Sequence, residues 1–342
     1  MMSMAVALQP DEFAATAARA VTACAGLGVR EQAQNLAGDG LLGIIADEEV
    51  GGLALSIGFA VPVIAAAHSG LLAFPLLETI LVGRVLQSSL PRLAAAIVSG
   101  EKLATIAWQG EARAEREGEL LKLSGSLGRA PCATQVDHIL VRMSDGASVL
   151  IASDAEGVAV EEAAGLDLTV PEHTVRLEKV EVPIGSILPP GTWDMLNSDA
   201  TVLRAAAILG SAEACLSLAQ EHASTRRQFG HALSYNQAIR HALARQKLAL
   251  ESIRHAITRS LSDDGGPVQR DAAFLAAATY GCSISEGALQ IHGGMGFTWD
   301  VPVHRHLRRI RTLQAQGDAS GLIRTFGRRY VSEIAPFAEA GA

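Results

Sequence analysis

Residues 290–307 read QIHGGMGFTWDVPVHRHL. An apolar helical run enters, two adjacent glycines follow, and a short aromatic turn leads into a basic segment. Adjacent glycines end a helix, because the second can turn left-handed without a Cβ clash. They also leave bare backbone that a bulky flat or phosphorylated ligand can approach closely. Alone, GGMG is a plain helix C-cap. In company with RRQFG at residues 226–230 and with Gln237, it becomes a ligand-site signal.

Around this stretch the helical period dominates. Residues 202–223 read as one long helix. Ser234, with Gln237 three residues on, fits a capping box opening a second. Its apolar stripe runs Ile239, Leu243, Leu250, Ile253, Ile257, Leu261. Pro267 starts a third, ending at Gly293, and residues 304–313 and 321–335 add two more. Long helices joined by short turns predict a bundle. Upstream, short runs at 104–109, 119–124, 138–143, 148–152, 158–162 and 175–182 are separated by Gly, Asp, Ser and Pro. That spacing predicts an antiparallel sheet or small barrel, closed by Pro189-Pro190-Gly191. Before it, residues 12–25, 76–86 and a run opening at Pro91 read as helices, with a turn at 47–52. The expected fold is mostly α with a central β domain: an N-terminal helical domain (1–102), a β domain (103–192) and a C-terminal helical bundle (193–342).

Composition narrows the function. The chain has 342 residues, 49% hydrophobic and 19% charged, which suits a folded, largely helical protein rather than a disordered one. A formal net charge of −8 gives a nucleic-acid partner no electrostatic support. Cys24, Cys132, Cys215 and Cys282 lie far apart, which argues against a zinc site or disulfide framework and for a reducing cytoplasm. His304 and His306, two apart on a helix, point to different faces, so surface roles are expected and no metal site. Arg305, Arg308, Arg309 and Arg311 form either a solvated helix face or a contact for phosphate or a subunit. The start, MMSMAVALQPDEF, lacks a basic region before an apolar core, and no span of about 20 apolar residues is evident. A soluble, cytoplasmic protein with no membrane partner is expected.

The order helical domain, β domain, bundle, carrying RRQFG, Gln237 and QIHGGMGFTWDVPVHRHLRR, resembles the acyl-CoA dehydrogenase family over nearly the whole chain. VGGLALS at 50–56 is similar to the family's YGGLGLS turn, and LPRLAAAIVSGEKLATIA to the segment entering its β domain. The resemblance implies FAD as cofactor, spanning a subunit interface, with one subunit's bundle holding the adenine end and pyrophosphate of the neighbour's flavin. The matching positions are Arg226, Phe229, Gln237, Gln290, Gly293 and Gly294. Arginine offers a charged fork to pyrophosphate, glutamine a donor and an acceptor to a nucleotide edge, and glycine close backbone approach. Without the resemblance these residues read as a solvated arginine, a core phenylalanine, a helix cap and an ordinary polar position.

The family's catalytic glutamate has no counterpart here. Its usual position falls at Gly317, or at Gln316 with a one-residue shift, and its alternative position at about Ala200–Thr201. Asp199 and Asp318 are the neighbouring carboxylates, Asp199 reading more simply as a helix cap. The flavin-lining segments TEPGAGSD and W-I-T fall on AWQGEARAE and GRAP, putting Arg129 at the tryptophan and Pro131 at the threonine. Proline offers neither amide proton nor hydroxyl. The pattern resembles the short, base-less subunit of heteromeric α2β2 acyl-CoA dehydrogenases. What this implies is a full-length catalytic partner subunit, an acyl-CoA substrate in the complex and an electron-transferring flavoprotein as acceptor. Such enzymes take bulky substrates, steroid side chains among them, through room left by the vacated half-site. The alternatives are a self-sufficient homomeric dehydrogenase with an unorthodox base, and a cofactor-free scaffold.

Overall fold

The computed structural model of the chain describes residues 8–334. Five helices come first: α1 (Pro10–Ala23), α2 (Val29–Gly38), α3 (Ile57–Ser69), α4 (Leu76–Leu86) and α5 (Pro91–Val98). Proline at the first turn opens α1 and α5, where its missing N–H costs no hydrogen bond. Seven strands follow: β1 (Ala104–Ile106), β2 (Arg113–Glu117), β3 (Leu120–Pro131), β4 (His138–Arg142), β5 (Ser148–Ala152), β6 (Val158–Glu162) and β7 (Glu172–Pro183). The bundle comprises α6 (Thr192–Thr225), a hairpin of β8 (Arg227–Gln228) and β9 (His231–Ala232), α7 (Gln237–Ser260), α8 (Pro267–His292), α9 (Val303–Gln316) and α10 (Ala319–Ile334). Helices flanking a small β region are the fold class expected. The first seven residues of the MMSMAVALQPDEF stretch, and residue 335, lie outside the described residues.

The β region is two sheets, not one antiparallel sheet or closed barrel. One has the order β2-β3-β7-β6, all antiparallel; the other is β1-β4-β5, with β1 parallel to β4. Strand β2, RAERE, is exposed at every position, so no alternation marks it in the sequence. β3 and β7 are long, and their register shifts between Leu127 and Ala130. There Gly128 pairs with Gln109 instead, and Arg129 takes a left-handed φ of 57°.

Helix α6 organises the rest. Every residue from Asp199 to Ala212 is buried, enclosed by α3, α7, α8 and α9. A helix covered on all sides shows no amphipathic stripe, and one 18-residue window is apolar enough to cross a membrane on composition alone. That window is 78% buried inside the fold; it is a core helix, and the expectation of no long apolar span needs that correction. Enclosure depends on close backbone approach. A Cβ built on Gly210 would lie 1.9 Å from the Ala65 carbonyl oxygen of α3, and one on Gly281 of α8 would lie 2.3 Å from Ile208. Asp199 fastens this helix to two neighbours, accepting from Arg84 of α4 and Arg270 of α8, each at 2.8 Å.

Two local expectations are also corrected. Ser234 lies in a 3-10 turn (Leu233–Tyr235), so α7 starts at Gln237 behind Asn236 with no side-chain cap; the turn displaces the helix start past the capping-box position. His304 and His306 are both buried rather than surface residues, because the entry to α9 is covered on more than one side.

Gly210→Ala tests the α3–α6 approach. Overpacking of a closed core costs about 1–3 kcal/mol, and urea denaturation should show a loss of that size. The ionisation of His306 supplies a second expected outcome. Burial, then Arg309 and Arg305, push its imidazole down to about 3, while burial, Arg309 and His306 lower that of His68. Both stay neutral in the fold, whereas the unfolded chain takes up these protons near pH 6.5. Stability is therefore complete above about pH 6.5 and falls below it, by up to about 1.4 kcal/mol per pH unit for each histidine. His306→Leu should flatten the fall in melting temperature between pH 6.5 and 4.5.

Candidate functional site

The residues singled out in the sequence fall into two regions of opposite character. The first is one end of the bundle. Helices α6, α7 and α8 alternate in direction, so the end of α6, the start of α7 and the end of α8 meet there. The Arg226 amide donates to the His222 carbonyl at 2.9 Å, and the Arg226 carbonyl accepts from Leu233 at 2.9 Å, which fixes where the chain leaves α6. Gln228 then pairs with His231. Phe229 and Gly230 form the two-residue turn between them, with φ of 55° and 84°.

Two positive φ values suit a hairpin turn, but the first position favours Asn or Gly. A phenylalanine there costs about 1–2 kcal/mol of backbone strain. Its ring is also 94% exposed, so no packing offsets that strain, and Phe229 is not the core residue its apolar side chain alone would suggest. Strain combined with exposure marks a position kept for contact with something else. Phe297 and Trp299, at 70% and 66% exposed, follow α8 at the same end, the Trp299 ring set edge-on to His304.

Gln290 is exposed near the end of α8, and Gly293 follows with φ 62° and ψ −141°, a conformation natural only to glycine. A Cβ on Gly293 or Gly294 would meet nothing within 4 Å; both face open space. Among the described residues, the side chains of Arg226, Gln237 and Gln290 have no hydrogen-bond or ion-pair partner. The face thus combines a free guanidinium, free amides, bare backbone and exposed rings. These are the groups needed to hold a nucleotide pyrophosphate, and the arrangement fits the adenine end of FAD.

The second region lies where the β sheets meet the end of α9, and it is closed. A Cβ on Gly317 would stand 2.4 and 2.7 Å from ring atoms of Phe274 and 3.2 Å from Cδ of Arg204. Glutamate is excluded there by packing, not merely absent. Beside it, Gln316 donates to Glu172 at 2.9 Å, Arg129 donates to the other Glu172 oxygen at 2.6 Å, and Gln109 reaches the Ala315 carbonyl at 3.4 Å. The left-handed Arg129 in the β3 bulge is what delivers its guanidinium to this latch.

Deeper in, Trp108 donates to Glu78 at 2.9 Å, and the Arg204 guanidinium lies 4.0 Å over the Trp108 ring. Burial raises the Glu78 carboxyl, opposed by the Trp108 hydrogen bond, and burial lowers Arg204 to about 10. Arg309 donates to Asp167 at 2.6 Å. Arg129 pairs with Glu172 and Arg309 with Asp167, while Arg204 and Glu78 meet only through Trp108. The cavity remaining among Glu78, Pro131, Asp167, Arg309, Thr312 and Gln316 measures about 40 Å³. Ligand pockets take roughly 300–1,000 Å³, so a flavin ring or acyl chain does not fit.

The candidate bases are occupied elsewhere. Asp199 lies inside α6, both oxygens engaged by arginines, which makes it neither base nor helix cap. Asp318 takes φ 44° and accepts from the Gly321 amide at 3.0 Å, capping α10. Ala200 is buried, and Thr201 donates to the Asn197 carbonyl. The arginine cluster of α9 also divides: Arg309 is buried, Arg311 pairs with Glu286 at 2.7 Å, and Arg305 meets Thr169 at 3.4 Å. The expected room in the vacated half-site is likewise corrected, since Phe274, Arg204 and the latch fill it. Among the described residues no cluster suited to a metal is found.

Sequence reasoning overlooked His222 and His292, whose rings stack at 4.5 Å between the ends of α6 and α8. Their signal was a histidine placed beside each motif. It also overlooked Glu78, Trp108 and Arg204, brought together from three separate elements.

Comparison with known proteins shows what the chain is similar to. The family profile described as "Acyl-CoA dehydrogenase, C-terminal domain" matches residues 198–325. Acyl-CoA dehydrogenase FadE27 of Mycobacterium tuberculosis is 29% identical over 329 residues, covering 87% of each chain. Acyl-CoA dehydrogenase FadE34 of the same organism is 27% identical over 90% of this chain; the chain spans 42% of that relative's length. A chain in the crystal structure of the ChsE4–ChsE5 complex from M. tuberculosis superimposes with a TM-score of 0.87 at 26% identity, covering 95% of this chain and 98% of that one. The bundle matches the C-terminal domain of the acyl-CoA dehydrogenase family, and the chain is similar to members of that family over most of its length. That family consists of flavin-dependent oxidoreductases.

Gly317→Glu tests the closure. Forcing a side chain against Phe274 should destabilise the chain by about 1–3 kcal/mol, visible as a lowered melting temperature. An unchanged melting point would show that the site can open.

Proposed function

We propose that this chain is the base-less, FAD-site-completing subunit of a heteromeric acyl-CoA dehydrogenase that oxidises an acyl-CoA thioester between its α and β carbons. One asymmetry carries the reading: the half of the site that would hold the flavin ring and base is filled around Gly317, while the nucleotide half is open around Arg226 and Gly293. A chain that catalysed alone would need both.

In this reading a full-length subunit supplies the base and the ring pocket. This chain contributes Arg226 to the pyrophosphate, Gln237 and Gln290 to the nucleotide edges, Gly293 and Gly294 as close backbone, and Phe229 as a packing ring. FAD, once bound between the subunits, supplies the hydride acceptor for the β carbon. An electron-transferring flavoprotein as reoxidant, an α2β2 assembly and a cytoplasmic location belong to the same proposal. The similarity to a chain of the ChsE4–ChsE5 complex supports a two-chain enzyme. A bulky, steroid-like acyl chain would have to be housed by the partner, because the closed half-site here offers about 40 Å³. Asp199 and Asp318, both engaged structurally, give little support to a self-sufficient homomer. A cofactor-free scaffold leaves the strain at Phe229 unexplained.

The visible spectrum decides. The chain purified alone should be colourless, and its complex with a full-length partner yellow, with about one FAD per heterodimer. A yellow lone chain bleached by an acyl-CoA would overturn the proposal. Phe229→Gly should divide stability from function. Relieving the left-handed strain should stabilise the isolated chain by up to about 1 kcal/mol while lowering the FAD content of the complex.

A further inference from the structure

We infer that His222 and His292 are a positioning pair that holds the two flavin-nucleotide motifs in register. The inference rests on the FAD-completing reading above. Arg226 and the hairpin bearing Phe229 belong to the end of α6; Gln290, Gly293 and Gly294 belong to the end of α8. Among the described residues no side-chain hydrogen bond or ion pair joins these two segments. Beyond the packing of α6 on α8 along their lengths, their side chains meet at this end in the ring stack, with centroids 4.5 Å apart and planes 27° from parallel.

Each ring is itself tied to its motif. His222 stands one helical turn before Arg226, and its carbonyl accepts the Arg226 amide at 2.9 Å. His292 immediately precedes Gly293, and its Nδ1 lies 2.8 Å from the Ala288 carbonyl. A carbonyl only accepts, so Nδ1 carries the proton, which orients the His292 ring and leaves its face to His222. Burial, then His292 and Arg226, lower the His222 imidazole, so the rings meet without two positive charges opposed. A shift of either ring moves Arg226 relative to Gly293, and a pyrophosphate held by both would lose one of them. Neither histidine needs to touch the cofactor.

The test is FAD titration into the flavin-free complex with its catalytic partner, followed by flavin fluorescence. His222→Ala should raise the Kd by about tenfold, the upper end expected for losing an aromatic pair. His222→Phe and His222→Tyr, which restore a ring, should return it to within about threefold of wild type. His292→Phe, which keeps a ring but loses the Nδ1 hydrogen bond to Ala288, should recover only part of the affinity. A histidine acting through a hydrogen bond or its charge would show no such rescue by ring alone. Wild-type affinity in His222→Ala, or no recovery in His222→Phe, overturns the inference even if Arg226→Ala abolishes binding. If the wild-type complex takes no FAD, the FAD-completing reading falls and this inference with it.

Discussion

The enclosure of α6 is the constraint on which the molecule depends. Glycines at 210 and 281 admit the backbones of α3 and α8 so closely that no face of the helix is left for solvent along 14 residues, from Asp199 to Ala212. Polar groups on such a helix must be answered inside the protein. Asp199 is answered by arginines from α4 and α8; Arg204 lies over the face of Trp108, and its Nε and Nη2 find no hydrogen-bond partner among the described residues. The same helix then carries its last turn out to the open end of the bundle. One element thus determines both the sealed region and the exposed one.

On the proposed function, the sealed region is a retired site. Deleting a base leaves a hole, and holes in a packed interior are costly. Here the space at Gly317 is taken by Phe274 and the stem of Arg204, and the polar lining carries the Arg129–Glu172 and Arg309–Asp167 ion pairs. Such pairs add little net stability, because desolvation cancels most of their attraction. Their effect is specificity of closure: Arg129, Glu172 and Gln316 join the β sheets to α9 directly.

How much of this was legible in the sequence depends on range. RRQFG and GGMG were readable because their meaning is local, in glycine conformations and a hairpin turn. The stripe of α7 was readable because one of its faces is wet. β2 was not, because exposure on both faces erases alternation. The parallel pairing of β1 with β4 and the burial of His304 and His306 are set by neighbours distant in sequence. The missing glutamate could be counted along the chain; that Phe274 stands in its place could not.

At the open end, Phe229, Tyr235, Phe297 and Trp299 all present their rings to water. Large uncovered apolar patches draw chains together. In the proposed two-subunit enzyme, an unpaired copy of this chain is therefore adhesive, and its hazard grows with its own concentration rather than with that of the assembly. The quantity a cell must hold steady is the ratio in which the two subunits are made.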